Sequence, residues 1–66
     1  MKVLCNGAAL EVASGARVAD CLGQLGLDPA SVVVECDGKV LTRKEYGSHE
    51  LQDGSVLELI RFVGGG

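Results

Sequence analysis

Apolar residues recur at every second position at the start of the chain, at Met1, Val3 and Cys5. This spacing predicts a strand over residues 1–6 with one face buried. Asn6-Gly7 then predicts a tight hairpin, because both central residues of a type I′ turn need positive φ. Residues 8–12 return as a second strand with Leu10 and Val12 on one face, until Ser14-Gly15 breaks the pattern. The period then changes. Val18, Cys21, Leu22 and Leu25 fall at i, i+3, i+4 and i+7, the stripe of an amphipathic helix over residues 18–25. Asp20 in its first turn suits the positive end of the helix dipole. Gly26 followed by Leu27 predicts a Schellman close, and Asp28-Pro29 stops any continuation. A β-branched strand over 32–36, a second turn at Asp37-Gly38 and a short strand over 39–41 come next. A polar stretch over 42–50 holds one short helical turn near residues 44–46. A third turn at Asp53-Gly54 leads into a last strand over 55–63.

Hairpin, helix, strand pair and final strand predict an α+β β-grasp fold. Its four- to five-stranded mixed sheet carries one main helix on one face. The first and last strands are expected to be parallel neighbours in the middle of the sheet. A single helix covers one sheet face only. On the last strand, Leu57 and Leu59 make one side, while Val56, Glu58, Ile60 and Phe62 make the other. Both sides are mainly apolar, so the uncovered one is expected to expose an apolar patch, the usual mark of an interaction site. Its candidate partner-binding residues are Ile60, Phe62 and Val63, with Leu4 and Val33 beside them.

Composition narrows the function. Sixty-six residues make one small domain, with 47% hydrophobic and 23% charged residues and a net charge of −3. A chain of this size buries only about 60% of its unfolded surface. That leaves no room for a deep pocket and favours a carrier or binding module over a self-sufficient enzyme. Nucleic-acid binding rests on phosphate neutralisation by Lys and Arg, and six such residues without a cluster do not supply it. Anionic membrane surfaces are disfavoured likewise, and no run reaches membrane-spanning length. No secretory signal precedes Asn6-Gly7, so the cytoplasm is the expected compartment. Cys5, Cys21 and Cys36 are odd in number and fall on core-facing positions, which argues against a disulfide framework. With His49 they form no close-spaced ligand pair, so neither a metal set nor a catalytic triad is expected.

The chain closes in Ile60-Arg61-Phe62-Val63-Gly64-Gly65-Gly66. Residues 1–63 are expected to form the domain and 64–66 a flexible tail. Glycines lack Cβ bulk, so such a tail can enter a slot that a side-chain-bearing one could not. Residues 63–66 span on the order of 13 Å when extended. The expected role is delivery of the Gly66 carboxylate into a partner's active site, where it is modified, with Gly64 and Gly65 as the slender lead.

Val3-Leu4-Cys5-Asn6-Gly7, the helix over 18–22, Arg43 and Tyr46, Leu51, Asp53-Gly54 and the Phe62-to-Gly66 ending together resemble the ThiS family. These are the bacterial sulfur carriers of thiamine biosynthesis, ubiquitin-like β-grasp proteins. The resemblance runs the whole length, with Cys5 replacing a larger apolar residue and Arg17 a hydroxyl helix cap. It implies that a ThiF-like enzyme, using ATP and magnesium, adenylates Gly66. A persulfide sulfur donor then displaces AMP to leave a thiocarboxylate, and the thiazole synthase ThiG takes the sulfur. The carrier itself binds no cofactor and supplies no catalytic group. The alternatives are a MoaD-like carrier for molybdopterin, a carrier for another sulfur pathway, a protein-tagging modifier with the same tail, or a plain interaction module.

Overall fold

The computed structural model describes residues 1–62. Five strands form one sheet: β1 (Lys2–Cys5), β2 (Ala8–Glu11), β3 (Val32–Cys36), β4 (Lys39–Val40) and β5 (Val56–Arg61). One helix, α1 (Val18–Gln24), connects the two hairpins, and single 3₁₀ turns occupy Pro29–Ser31 and Arg43–Glu45. The strand order is β2-β1-β5-β3-β4. β1 and β5 are parallel, and β2, β3 and β4 pair antiparallel with their neighbours. This is the expected mixed sheet, with the first and last strands side by side at its centre.

The helix buries Val18, Cys21 and Leu22 against Val3, Val34, Leu57 and Leu59 of the sheet. Full burial of each aliphatic side chain contributes about 1.5–3 kcal/mol. Leu41, Tyr46 and Leu51 complete the core from the long loop. The Tyr46 hydroxyl donates to the Val32 carbonyl oxygen at 3.0 Å, so its polar end is satisfied inside.

Leu25 is not in the helix stripe. It is the C-cap residue and 38% exposed. Helix geometry ends one residue sooner because Gly26 adopts φ +71°. The N–H of Leu27 donates to Leu22 O at 2.9 Å, and that of Gly26 to Gly23 O at 3.1 Å. These are the two bonds of a Schellman close, and they direct Leu27, not Leu25, against the core. At the other end Arg17 has no acceptor to offer. Asp20 reaches back instead and accepts the Arg17 N–H at 2.9 Å, so it closes the first turn as well as meeting the dipole.

The hairpin turns do more than reverse the chain. Asn6 and Asp37 take φ +49° and +50°, with Gly7 and Gly38 following at positive φ. Their side chains then grip β5 from both sides. Asn6 accepts the Leu59 N–H at 2.8 Å and donates to Leu59 O at 3.2 Å. Asp37 accepts the Val56 N–H at 2.9 Å. Asp53, in the third turn, accepts the Lys2 N–H at 2.9 Å. Two side chains thus continue the ladder where strand pairing stops, and the strand that leads to the C-terminus is held along both edges.

Cys21 and Cys36 are buried, and Cys5, half-buried, packs against the core from its expected core-facing position. It ends β1 against the exposed Asn6-Gly7 turn, at the rim of the core. Burial pushes all three thiols above their ordinary value, with Glu58 adding for Cys5, the Cys5 thiol for Cys21 and Asp37 for Cys36. A raised acid pKa makes the folded state the stronger proton binder at alkaline pH. The associated stability is complete below the unfolded thiol value of about 8.5 and is lost as pH rises through the folded values. Thiol reagents at neutral pH should therefore label Cys5 first and slowly, and Cys21 and Cys36 only on unfolding in urea. Uniform rapid labelling of the native protein would contradict this packing.

Candidate functional site

The sheet has a covered and an uncovered face, and β5 crosses the middle of both. Its side chains alternate: Leu57 and Leu59 are buried under the helix, while Val56, Glu58 and Ile60 are exposed on the opposite side. The register sets what lies next to them. Leu4 of β1 pairs with Val56, and Val33 of β3 pairs with Ile60. Leu4, Val56 and Ile60 are exposed and Val33 is half-buried, so the outer face carries two apolar rungs, Leu4–Val56 and Val33–Ile60, with the Glu35–Glu58 rung between them. Phe62, 60% exposed, stands at its end beyond Ile60, at 59%. The Phe62 N–H donates to Ser31 O at 2.9 Å, which ties the backbone down at the last described residue.

Of the five residues expected on this face, Val33 and Ile60 are direct cross-strand partners with Phe62 just beyond, whereas Leu4 lies beside Val56 at the other end of β5. Val63 lies outside the described residues, as do Gly64, Gly65 and Gly66. Two members were missed. Val40 is 60% exposed and pairs with Glu35, and Glu35 pairs in turn with Glu58. A two-residue turn at Asp37-Gly38 already dictates the Glu35–Val40 pairing, so that part was readable from the sequence.

The polar loop over 42–50 shows no catalytic grouping. His49 is half-buried, and its backbone serves the fold, its N–H donating to Glu45 O and its carbonyl accepting from Val18. Glu45 accepts the Thr42 N–H at 2.9 Å and hydroxyl at 3.0 Å and pairs with Lys39 at 3.5 Å. The Thr42 bonds, chiefly the backbone one, hold its carboxyl below the ordinary carboxylate range. Among the described residues, no three His, Cys, Asp or Glu side chains gather where they could hold a metal ion. Among them also, no helix is long and apolar enough to cross a membrane.

A five-stranded mixed sheet of order β2-β1-β5-β3-β4 with one helix across one face defines a ubiquitin-like β-grasp protein. The ThiS family model matches residues 3–66, and the chain belongs to that family. A crystal structure of a thiamine biosynthesis protein (ThiS) from Geobacter metallireducens superposes with a TM-score of 0.83 at 32% identity over all of both chains. The sulfur carrier protein ThiS of Escherichia coli is 29% identical over the full length of both. A thiazole synthase of Paramagnetospirillum magneticum is 33% identical over the whole of this chain, which spans only 20% of that protein's length. A second, from Magnetococcus marinus, is 35% identical with the same coverage.

Proposed function

We propose that this chain carries sulfur for thiazole formation in thiamine biosynthesis, as a thiocarboxylate on Gly66. The observation that favours this pathway over a molybdopterin one is the pair of relatives named thiazole synthase. Each contains a counterpart of the whole chain within a protein five times as long. A carrier joined to the enzyme that consumes its cargo makes a thiazole synthase of the ThiG kind the natural receiver.

The chemistry explains the architecture. A carboxylate is a poor electrophile. In the slot of a ThiF-like enzyme, the Gly66 carboxylate attacks the α-phosphorus of magnesium-bound ATP and pyrophosphate leaves. The terminal sulfur of a persulfide donor then attacks the acyl carbon and AMP leaves. A thiol cleaves the resulting sulfur–sulfur bond, giving a disulfide and the thiocarboxylate. The partner enzyme supplies ATP, magnesium and acid–base groups. This chain supplies a rigid address, the outer face with Leu4, Val33, Ile60, Phe62 and Val63, and the narrow Gly64–Gly65–Gly66 lead. Orientation of the acyl carbon against the nucleotide matters because an in-line reaction loses rate steeply with small misplacement. The firmly gripped β5 fixes where that lead begins.

The test is ATP–pyrophosphate exchange by the host's ThiF-like enzyme with this chain as substrate. Exchange that depends on the chain supports the proposal. An enzyme that binds the chain yet exchanges no pyrophosphate refutes it.

A further inference from the structure

The outer face holds an arrangement that the isolated domain does not favour. Glu35 of β3 stands directly opposite Glu58 of β5. Cross-strand partners hold their Cβ atoms about 4.5–5.5 Å apart, and like charges placed so are destabilising. The residues flanking the pair along β3 and β5 and across on β4 are apolar, while Asn6 lies on the β1 side. Val56 and Ile60 precede and follow Glu58 on the same face of β5. Val33 neighbours Glu35 on β3, and Val40 faces it from β4. Among the described residues, no cation lies within 4.0 Å of either carboxylate. The ion pairs there are Met1 with Glu11 and Lys39 with Glu45, so the lysine nearest in sequence is directed elsewhere.

We propose that this acidic pair selects the partner: the adenylating enzyme's docking surface presents an arginine that seats between Glu35 and Glu58. Its apolar neighbours would close over Val33, Val40, Val56 and Ile60. The inference rests on the proposed docking role of the outer face and adds the chemistry of what docks there. A guanidinium has five donors in a planar fork and can serve both carboxylates at once. A lysine ammonium is a compact, strongly hydrated charge and fits an apolar collar less well. Repulsion that weakens the free sheet turns into attraction when the cation arrives, and the chain's net charge of −3 steers the approach.

The experiment measures affinity for the host's ThiF-like enzyme at low and high salt, together with melting temperature and exchange rate. Glu35→Gln and Glu58→Gln should each weaken binding about tenfold, the double variant more, and the salt dependence should flatten. Melting temperature should hold or rise, because the repulsion is gone. Exchange at saturating carrier should match wild type, because the tail is untouched. Glu50→Gln makes the same change in net charge as either single variant, in the loop before β5, and should bind within about twofold of wild type. Wild-type affinity in the Glu35/Glu58 double variant overturns the inference, and so does an equal loss in the control. A wild-type chain that supports no exchange would count against the proposed function itself, whereas exchange with unchanged Gln variants counts only against the arginine pairing.

Discussion

Deleting Gly66 should abolish adenylation by the ThiF-like enzyme while leaving fold and affinity almost intact. The truncated chain still ends in a glycine carboxylate, at Gly65, but about 3.5 Å further back from the nucleotide. Effective molarities of well-oriented groups reach about 10⁵–10⁸ M, and a carboxylate one residue short forfeits that advantage. Adding one alanine after Gly66 tests the opposite error. The reach is then ample, but a methyl sits beside the reacting carbon in a slot shaped for glycine. Both variants should give exchange at background, with melting temperature and binding close to wild type. Gly64→Ala should be milder, because it lies further from the chemistry. Wild-type exchange and sulfur uptake by the Gly66 deletion would remove the tail from the mechanism.

The second large effect is at the docking face. Phe62 and Ile60 are more than half exposed on the free chain, so their side chains contribute little to its core. Aromatic and aliphatic anchors near the centre of an interface cost about 2 kcal/mol or more when truncated. Phe62→Ala should weaken binding to the adenylating enzyme by roughly tenfold or more, and Ile60→Ala/Phe62→Ala by more again. The melting temperature should barely move. Leu25→Ala removes another partly exposed leucine, at the end of the helix on the other side of the sheet, and should leave affinity unchanged. If Leu25→Ala weakens binding and the double variant does not, the interface is on the helix side.

Much of this was legible because period-two and period-3.6 patterns fix which residues face the core. The alternation of Val56 through Ile60 foretold both the buried Leu57 and Leu59 and the exposed strip opposite. Turn chemistry was equally plain, since Asn6-Gly7 and Asp37-Gly38 need the positive φ they adopt. What the pattern could not give was tertiary. Leu25 satisfies the helical spacing, yet the Schellman close directs Leu27 inward in its place. Cys5 has the parity of a core residue and is half-buried because the chain turns immediately after it. The grip of Asn6 and Asp37 on β5 depends on strand neighbours some fifty and twenty residues away, which no local signal encodes. Tyr46 belongs to the family pattern in the sequence, and the structure gives its physical role, a core ring with its hydroxyl bonded to Val32. The Glu35–Glu58 couple required both hairpin register and the β3–β5 pairing, so it emerged only from the assembled sheet.

Intact mass spectrometry of the protein purified from its native host, under conditions that preserve thioacids, tests the central claim most directly. The account predicts a fraction of chains with one oxygen replaced by sulfur, the change mapping to Gly66 and absent from the Gly66 deletion. A chain found only as a free carboxylate in cells actively making thiazole, or joined through Gly66 to lysines of other proteins, would contradict it.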